Sequence, residues 1–382
     1  MSVRKKILRS TTPEGEPVET LWWIADYTDG SGKRHQERFK RKAEAAAHEE
    51  KQKVAVRAGT HVSLDNDLTV AGLADKWIKR VEANARERTT IRQYRSHIKY
   101  HILPRIGAVK LAKLTKGHVE AFRDGLLDGD KAPSRPTARK VLTSLKSMLK
   151  IVHCSHLADN VRIEASKRDK HKLEPGRDIP TPAEVKRLIE AAKDKPKLCA
   201  LLKTATLTGL RASELRGLRW SDVDLKAGEM HVRQRADCFG VIGAPKTDSS
   251  RRTVPLGPDL LLTLKNWKLQ CPKGELDLVF STATGAVDSH ANILRSLVAI
   301  MKAAGIVTKS GTPKYTLHSF RHFFASWCIN PKDRGGRELP PKVVQQLLGH
   351  SSIMMTLDIY GHLFRDETDK KELAASERVL LG

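Results

Sequence analysis

The sequence predicts a multidomain chain, mainly α-helical with small β elements. Three observations carry that expectation. At 382 residues the chain is long enough to bury more than one core. Apolar residues recur at helical spacing through residues 69–153. Strand-like runs are short and fall in the first 60 residues or among the last 200.

Residues 1–60 read as a small sheet of three strands followed by a helix. Leu21, Trp22, Trp23, Ile24 and Tyr27 form an aromatic-rich run, Asp29-Gly30-Ser31-Gly32 is turn chemistry, and Arg34 to Phe39 can return as a strand. From Lys42 to about Arg57, Ala, Glu, Gln and Lys dominate with no Pro or Gly, which favours a helix. Such a module could present a β-ribbon to a DNA groove, or could serve only as packing.

A helical bundle is expected over residues 65–165. Val70, Leu73, Trp77, Ile78 and Val81 make one buried face of a first helix, while Lys76, Lys79 and Arg80 lie elsewhere. A second helix starts near Thr90, carries Ile91, Tyr94, Ile98 and Ile102, and should stop at Pro104 and Gly107. A third follows Thr115 with Val119, Phe122 and Leu126. The fourth has Pro136 in its first turn, then Val141, Leu142, Leu145, Met148 and Leu149. Together they predict four helices around one core, with basic residues outside.

Residues 166–180 are poor in long apolar side chains and read as a linker. A new domain is expected over 175–382, opening at Thr181-Pro182-Ala183-Glu184, where Thr181 caps a helix, Pro182 takes its first position and Glu184 completes a capping box. Leu198 to Leu207 should be an apolar helix ended by Thr208-Gly209. Met230 to Arg233 and Thr253 to Leu256 read as strands flanking a loop that carries Lys246. This last domain is therefore mixed α+β.

Charge narrows the function. There are 69 Lys+Arg against 44 Asp+Glu, a formal +25, and the excess is spread as +4, +11 and +10 over residues 1–60, 61–174 and 175–382. A long polyanion touched by several domains explains this better than a neutral enzyme with a basic tag. Five cysteines (Cys154, Cys199, Cys238, Cys271, Cys328) are odd in number and widely spaced, which supports neither a disulfide framework nor a cysteine zinc site and fits a reducing cytoplasm. No apolar run approaches the roughly 20 residues of a membrane span, and MSVRKKILRS lacks the apolar stretch of a signal peptide. A membrane partner is not expected.

Several residues in the last 200 could carry chemistry. Arg211 follows a helix end in TGLRASELRGLRWSDVD, and Lys246 lies in APKTDSSRRTVPL. Each signal is weak alone. His318 and Arg321 are three apart on one helix face. His318 and His322 have the spacing of a zinc protease helix, but Ser319 stands where that motif needs Glu. Leu348-Gly349-His350 and Tyr360 follow.

Taken in order, Arg211, Lys246, His318-x-x-Arg321, Gly349-His350 and Tyr360 resemble the tyrosine recombinase family, specifically phage-type integrases. The likeness is close over the C-terminal domain. It extends loosely to residues 65–165, similar to the family's helical, SAM-like core-binding domain, and to residues 1–60, similar to an arm-type DNA-binding domain. It implies that Tyr360 is the nucleophile, cutting a DNA strand and leaving a 3′-phosphotyrosyl link that stores the bond for rejoining. Arg211 and Arg321 suit the role of bidentate, permanently charged donors to the phosphate. His350 would add a hydrogen bond, His318 would accept or position the phenol proton, and Lys246 would protonate the leaving 5′ oxygen. Glu214, one turn after Arg211, would orient the site, unless it is a plain surface carboxylate. Neither a cofactor nor a metal is implied, because the cationic side chains take that role.

The implied partners are double-stranded DNA at attachment sites, three further copies in a homotetramer on that DNA, and accessory DNA-bending or excision proteins. The implied location is a bacterial cytoplasm, at the nucleoid when bound. Residues 372–381, ELAASERVLL, read as an amphipathic helix that packs on its own domain or on a neighbouring protomer. A resolvase serving chromosome or plasmid segregation is the nearest enzymatic alternative, a catalytically silent DNA-binding protein the nearest non-enzymatic one. A type IB topoisomerase uses similar residues but has no need of two DNA-binding modules and a docking tail.

Overall fold

The computed structural model describes residues 3–11, 17–28, 34–57, 68–84, 86–130, 132–164, 173–364 and 377–381. They fall into two compact units, Met1–Asp169 and Lys170–Gly382.

The first unit opens with an antiparallel sheet in the order β1 (Arg4–Thr11), β2 (Pro17–Thr28), β3 (Arg34–Phe39). Three strands are as expected, although β1 carried no strand signal because its cations mask any alternation. The poor alternation of β2 also has a cause. Asp26 is buried on this strand, where Arg34 and Arg4 of the two flanking strands and Gln36 all donate to its carboxylate. Those bonds, the one from Arg34 foremost, hold its pKa far below the usual carboxylate range. The helix α1 (Lys42–Arg57) packs on β2, with Ala25 and Ala45 both fully buried. The turn expected at Asp29 to Gly32 lies outside the described residues.

The same unit holds the helical bundle: α2 (Val70–Ala83), α3 (Arg88–His97), α4 (Leu103–Ile106), α5 (Lys116–Gly125) and α6 (Arg135–Lys150). Thr69 and Thr115 cap α2 and α5 through their side chains. The core gathers Val70, Leu73, Trp77, Ile102, Phe122, Val141, Leu145 and Met148. The second helix ends before Gly107 as expected, but Pro104 does not stop it. Between α3 and α4 the chain makes a π-helical turn, Ile98–Ile102, in which the Leu103 amide donates to the Ile98 carbonyl. This wider turn lets Pro104, which has no amide hydrogen, pass without breaking the helix. His97, buried just before it, pairs its Nδ1 with Ser144 Oγ at 2.9 Å.

The second unit begins as expected. Thr181 Oγ1 accepts from the Glu184 amide at 3.2 Å and Glu184 accepts from the Thr181 amide at 2.8 Å, starting α7 (Pro182–Ala191). The same carboxylate takes Lys314 and Tyr315, each at 2.7 Å. Burial opposes its charge, but these donors hold its pKa down at about 2. Then come α8 (Pro196–Thr208), α9 (Ala212–Gly217) and the strands β4 (Val223–Asp224), β5 (Glu229–Val232), β6 (Arg235–Ala236), β7 (Ile242–Gly243) and β8 (Arg252–Pro255). They pair as β4-β5-β8 and β6-β7. After them run α10 (Pro258–Gln270), α11 (His290–Ala303), α12 (Leu317–Ile329), α13 (Pro341–Leu348) and α14 (Ile353–Tyr360).

One core joins α8, the β4-β5-β8 sheet, α10 and α11 through Leu201, Val254, Leu264, Phe280 and Leu297, while a smaller one holds Phe324, Val344, Leu348 and Tyr360. The polar segment from Pro331 to Glu338 folds back on α12: the Arg337 amide donates to Trp327 O, and Trp327 Nε1 to Gly335 O. Residues 377–381 are helical, whereas 372–376, the rest of the expected tail helix, lie outside the described residues.

Gly209 ends α8 in the left-handed region at φ 62°, and a Cβ there would lie 2.4 Å from the Phe324 ring. Gly209→Ala should combine backbone strain with overpacking and cost about 3 kcal/mol. The expected result is a fall of roughly 6–12 °C in the thermal midpoint of this unit, read by calorimetry. An unchanged midpoint would contradict the packing described.

Candidate active site

Two left-handed glycine turns organise the site. Gly209, after α8, delivers Arg211 to the start of α9; Gly349, after α13 at φ 64°, delivers His350. Arg211 crosses to the second turn, donating from Nη2 to Gly349 O at 2.9 Å. Arg321, on α12 and 2% exposed, spans both, donating from Nη1 to Gly209 O at 2.7 Å and from Nη2 to Leu348 O at 2.6 Å. Residues more than a hundred positions apart are thereby fixed around one small volume.

Glu214 is no surface carboxylate. It is buried and accepts from Arg211 Nη1 at 2.7 Å and from the Arg211 amide at 2.9 Å. Burial works against its charge, yet Arg252 and Arg211 hold its pKa at about 2, so it is ionised at neutral pH. The pair fixes the Arg211 side chain, which remains about one-third exposed. His350 is buried, its Nδ1 lying 2.9 Å from Thr356 Oγ1. Desolvation first, then Arg321 and Arg211, lower its pKa to about 3, so its ring is neutral. Desolvation also leads for Arg321, with Arg211 and Arg252 adding to it, and lowers that guanidinium to about 9; it remains a cation at neutral pH.

Lys246 lies on the exposed loop between β7 and β8. It lines a cleft of about 430 Å³ together with Arg211, Ser213, Glu214, Ser250 and Gly349. His318 is on the open side of α12. Its pKa is lowered by desolvation and then by Arg321 and Arg211, so it can accept a proton at neutral pH.

Tyr360 departs from simple convergence. At the end of α14 its ring is 1% exposed, packed in the core with Phe324, Val344 and Leu348, and it does not line the cleft. Its hydroxyl lies 2.6 Å from Nδ1 of His322. Burial pushes the phenol pKa up, with Arg321 pulling against it. Desolvation first, then His318 and Arg321, lower His322 to about 4, so the imidazole paired with the phenol is neutral at neutral pH. The His318 ring meets the His322 ring edge-on, centroids 4.6 Å apart. In sequence His322 stands out only as half of a zinc-protease spacing with His318. Its place one residue after Arg321, on the turn facing α14, was the available signal.

Arg252 was missed as well. It is buried against Glu214, and its RRTVP context reads only as a strand. Arg211 and Lys246 line the cleft, whereas Arg321, His318, His350 and Tyr360 do not line it; Arg211 and Arg321 nonetheless act on the His350 and His318 rings, and this cationic cluster suits an anion.

The phage integrase family model matches residues 180–367, and the model of the N-terminal SAM-like domain of phage integrases matches residues 69–127. The chain belongs to the tyrosine recombinase family, as a phage-type member. This site-specific recombinase is 27% identical over 367 residues to a tyrosine recombinase XerC-like protein of Caldanaerobacter subterraneus subsp. tengcongensis, covering 88% of this chain and 90% of the relative. It is 28% identical over 275 residues to the ICEBs1 integrase of Bacillus subtilis, covering 69% and 70%. In fold, the recombinase is similar to the Tn1549 transposon integrase solved with transposon right end DNA (TM-score 0.61, 20% identity, 82% of this chain and 100% of the other). It is also similar to a lambda integrase dimer solved on a core site (TM-score 0.59, 19% identity, 95% of each chain). No helix among the described residues is long and apolar enough to cross a membrane.

Proposed function

We propose that this recombinase integrates a phage or other mobile element into a bacterial chromosome, cutting and rejoining double-stranded DNA at attachment sites through Tyr360. The observation that carries this is the crossed pair Arg211 and Arg321, anchored on the Gly209 and Gly349 turns beside His350 and a carboxylate that orients Arg211. Such a pocket is built for a phosphodiester whose non-bridging oxygens gain charge during displacement.

In the proposed reaction Tyr360 Oη attacks phosphorus as the bond to the 5′ oxygen breaks, leaving a 3′-phosphotyrosyl link and a free 5′ hydroxyl. Lys246 gives its proton to the 5′ oxygen. His318 takes the phenol proton, for which its lowered pKa leaves it unprotonated. His322 holds the hydroxyl while the cleft is empty, and α14 must shift to bring Tyr360 to the phosphate. Rejoining reverses these steps with another 5′ hydroxyl, so no external energy source is needed.

Residues 65–165 would grip the core site, residues 1–60 an arm-type site, and residues 166–180 would link them to the catalytic domain at 175–382. The match of residues 69–127 to the SAM-like model supports the first of these assignments. The solved lambda integrase tetramer on a Holliday junction, similar to this chain at TM-score 0.57, supports a homotetramer on DNA. Accessory DNA-bending or excision proteins would set direction, and the setting would be the bacterial cytoplasm, at the nucleoid when DNA is bound.

The test uses nicked duplexes carrying candidate attachment sequences. The full-length protein should give a denaturation-resistant adduct on the 3′ side. Lys246→Ala should slow adduct formation about 10²-fold, and a 5′-bridging phosphorothiolate, whose sulfur leaves without a proton, should restore it. An adduct on the 5′ side, or no rescue by sulfur, would overturn these assignments.

A further inference from the structure

Arg252 has no place in the chemistry above, yet it is among the most constrained side chains in the site. It is 5% exposed and uses all three guanidinium nitrogens on three different segments. Nη2 donates to Glu214 Oε2 at 2.8 Å, on α9. Nη1 donates to Ser250 O at 3.0 Å, at the base of the loop that carries Lys246. Nε donates to Leu347 O at 2.7 Å, in the last turn of α13.

Each of these contacts sits one link from a proposed catalytic group. Glu214 holds Arg211. Ser250 Oγ lies 3.4 Å from Arg211 Nη1 and 3.0 Å from Thr247 Oγ1, the residue after Lys246. Leu347 directly precedes Leu348, whose carbonyl anchors Arg321, and Gly349, whose carbonyl anchors Arg211. The packing leaves no slack: a Cβ on Gly349 would stand 3.0 Å from Arg252 Nη1 and 3.1 Å from Ser249 O.

We propose that Arg252 is a positioning residue, a three-way clamp that sets the separation of the Arg211, Lys246 and Gly349-His350 segments and so the size of the anion they can jointly hold. The proposal rests on the phosphate-binding reading of the cleft. Arg252 itself, buried behind Glu214, touches no reacting atom. A lysine could keep the charge beside Glu214 but has one nitrogen, and cannot reach three acceptors on diverging segments.

The test compares wild type, Arg252→Met and Arg252→Lys as full-length proteins. Orthovanadate alone serves as the probe of the anion site, by titration calorimetry, and adduct formation on nicked duplexes as the rate. Arg252→Lys retains a cation for buried Glu214, which protects the fold if Arg252→Met loses it; circular dichroism and thermal midpoint check both. Vanadate affinity should fall at least about 10-fold and adduct formation about 100-fold in both variants, with duplex affinity within about twofold of wild type. A folded Arg252→Met with vanadate affinity and adduct rate within about threefold of wild type would overturn the clamp. Full recovery by Arg252→Lys would overturn it too, since charge alone would then suffice. If wild type binds vanadate and the variants do not, while wild type forms no adduct on DNA, the clamp stands and the recombination chemistry fails.

Discussion

Tyr360→Phe should form no covalent adduct on a nicked attachment-site duplex, a loss of at least about 10⁴-fold, while binding the duplex as tightly as wild type. The two halves of this result follow from where the side chain lies. The phenol oxygen is the only atom removed, and no other hydroxyl replaces it at the end of α14, where Gly361 follows. The ring is buried with Phe324, Val344 and Leu348, so phenylalanine keeps the packing and loses only the bond to His322 Nδ1. A single buried hydrogen bond of this kind is worth about 1 kcal/mol net, too little to unfold the unit. Gel retardation and denaturing electrophoresis on the same samples separate binding from chemistry. An adduct surviving in Tyr360→Phe would mean that another side chain attacks.

The second large effect is expected at Arg321. Arg321→Lys should lower the rate of adduct formation about 10³-fold with duplex affinity little changed. The guanidinium satisfies Gly209 O and Leu348 O with two nitrogens and still has donors left for a phosphate. An ammonium at the end of a flexible stem can reach one carbonyl or the other. At 2% exposure it would also pay desolvation that a lysine answers by releasing its proton. The buried site would then lack both the fork and the charge. Single-turnover cleavage with saturating protein measures this without interference from binding. A loss below about tenfold would remove Arg321 from the transition-state contacts.

Local chemistry made much of this protein legible. Thr181 to Glu184 wrote its capping box in four letters, Gly209 its left-handed turn, and the stripes from Val70 to Leu149 their common core. The candidate site residues were named through the family resemblance, because locally each signal, Arg211 after a helix end or Lys246 in a polar loop, is weak alone. What escaped depends on contacts across the chain. Arg252 meets Leu347 and Arg211 meets Gly349, partners 95 and 138 positions away that no local pattern announces. His322 meets Tyr360 only because α14 folds back on α12. The π turn ahead of Pro104 is of the same kind, since proline is a stop signal locally and becomes tolerable only where a wider turn removes its clash. Burial of Tyr360 was likewise invisible, because a tyrosine reads identically in sequence whether presented or withheld.

The two anchors of Arg321 are backbone carbonyls, not carboxylates. Among Arg211, Arg252, Arg321 and Glu214 the positive charges outnumber the single negative one, so the fold encloses an uncancelled cation that dipoles orient without neutralising. Enclosing such a charge carries a desolvation cost, and on the proposed phosphate-binding reading an arriving phosphate would relieve it. On that reading the recombinase would be tuned as a lock is with its spring compressed: part of the affinity for the backbone of DNA would be stored beforehand as discomfort in the empty state. A second carboxylate placed beside Arg321 would ease that discomfort and, by the same amount, dull the attraction.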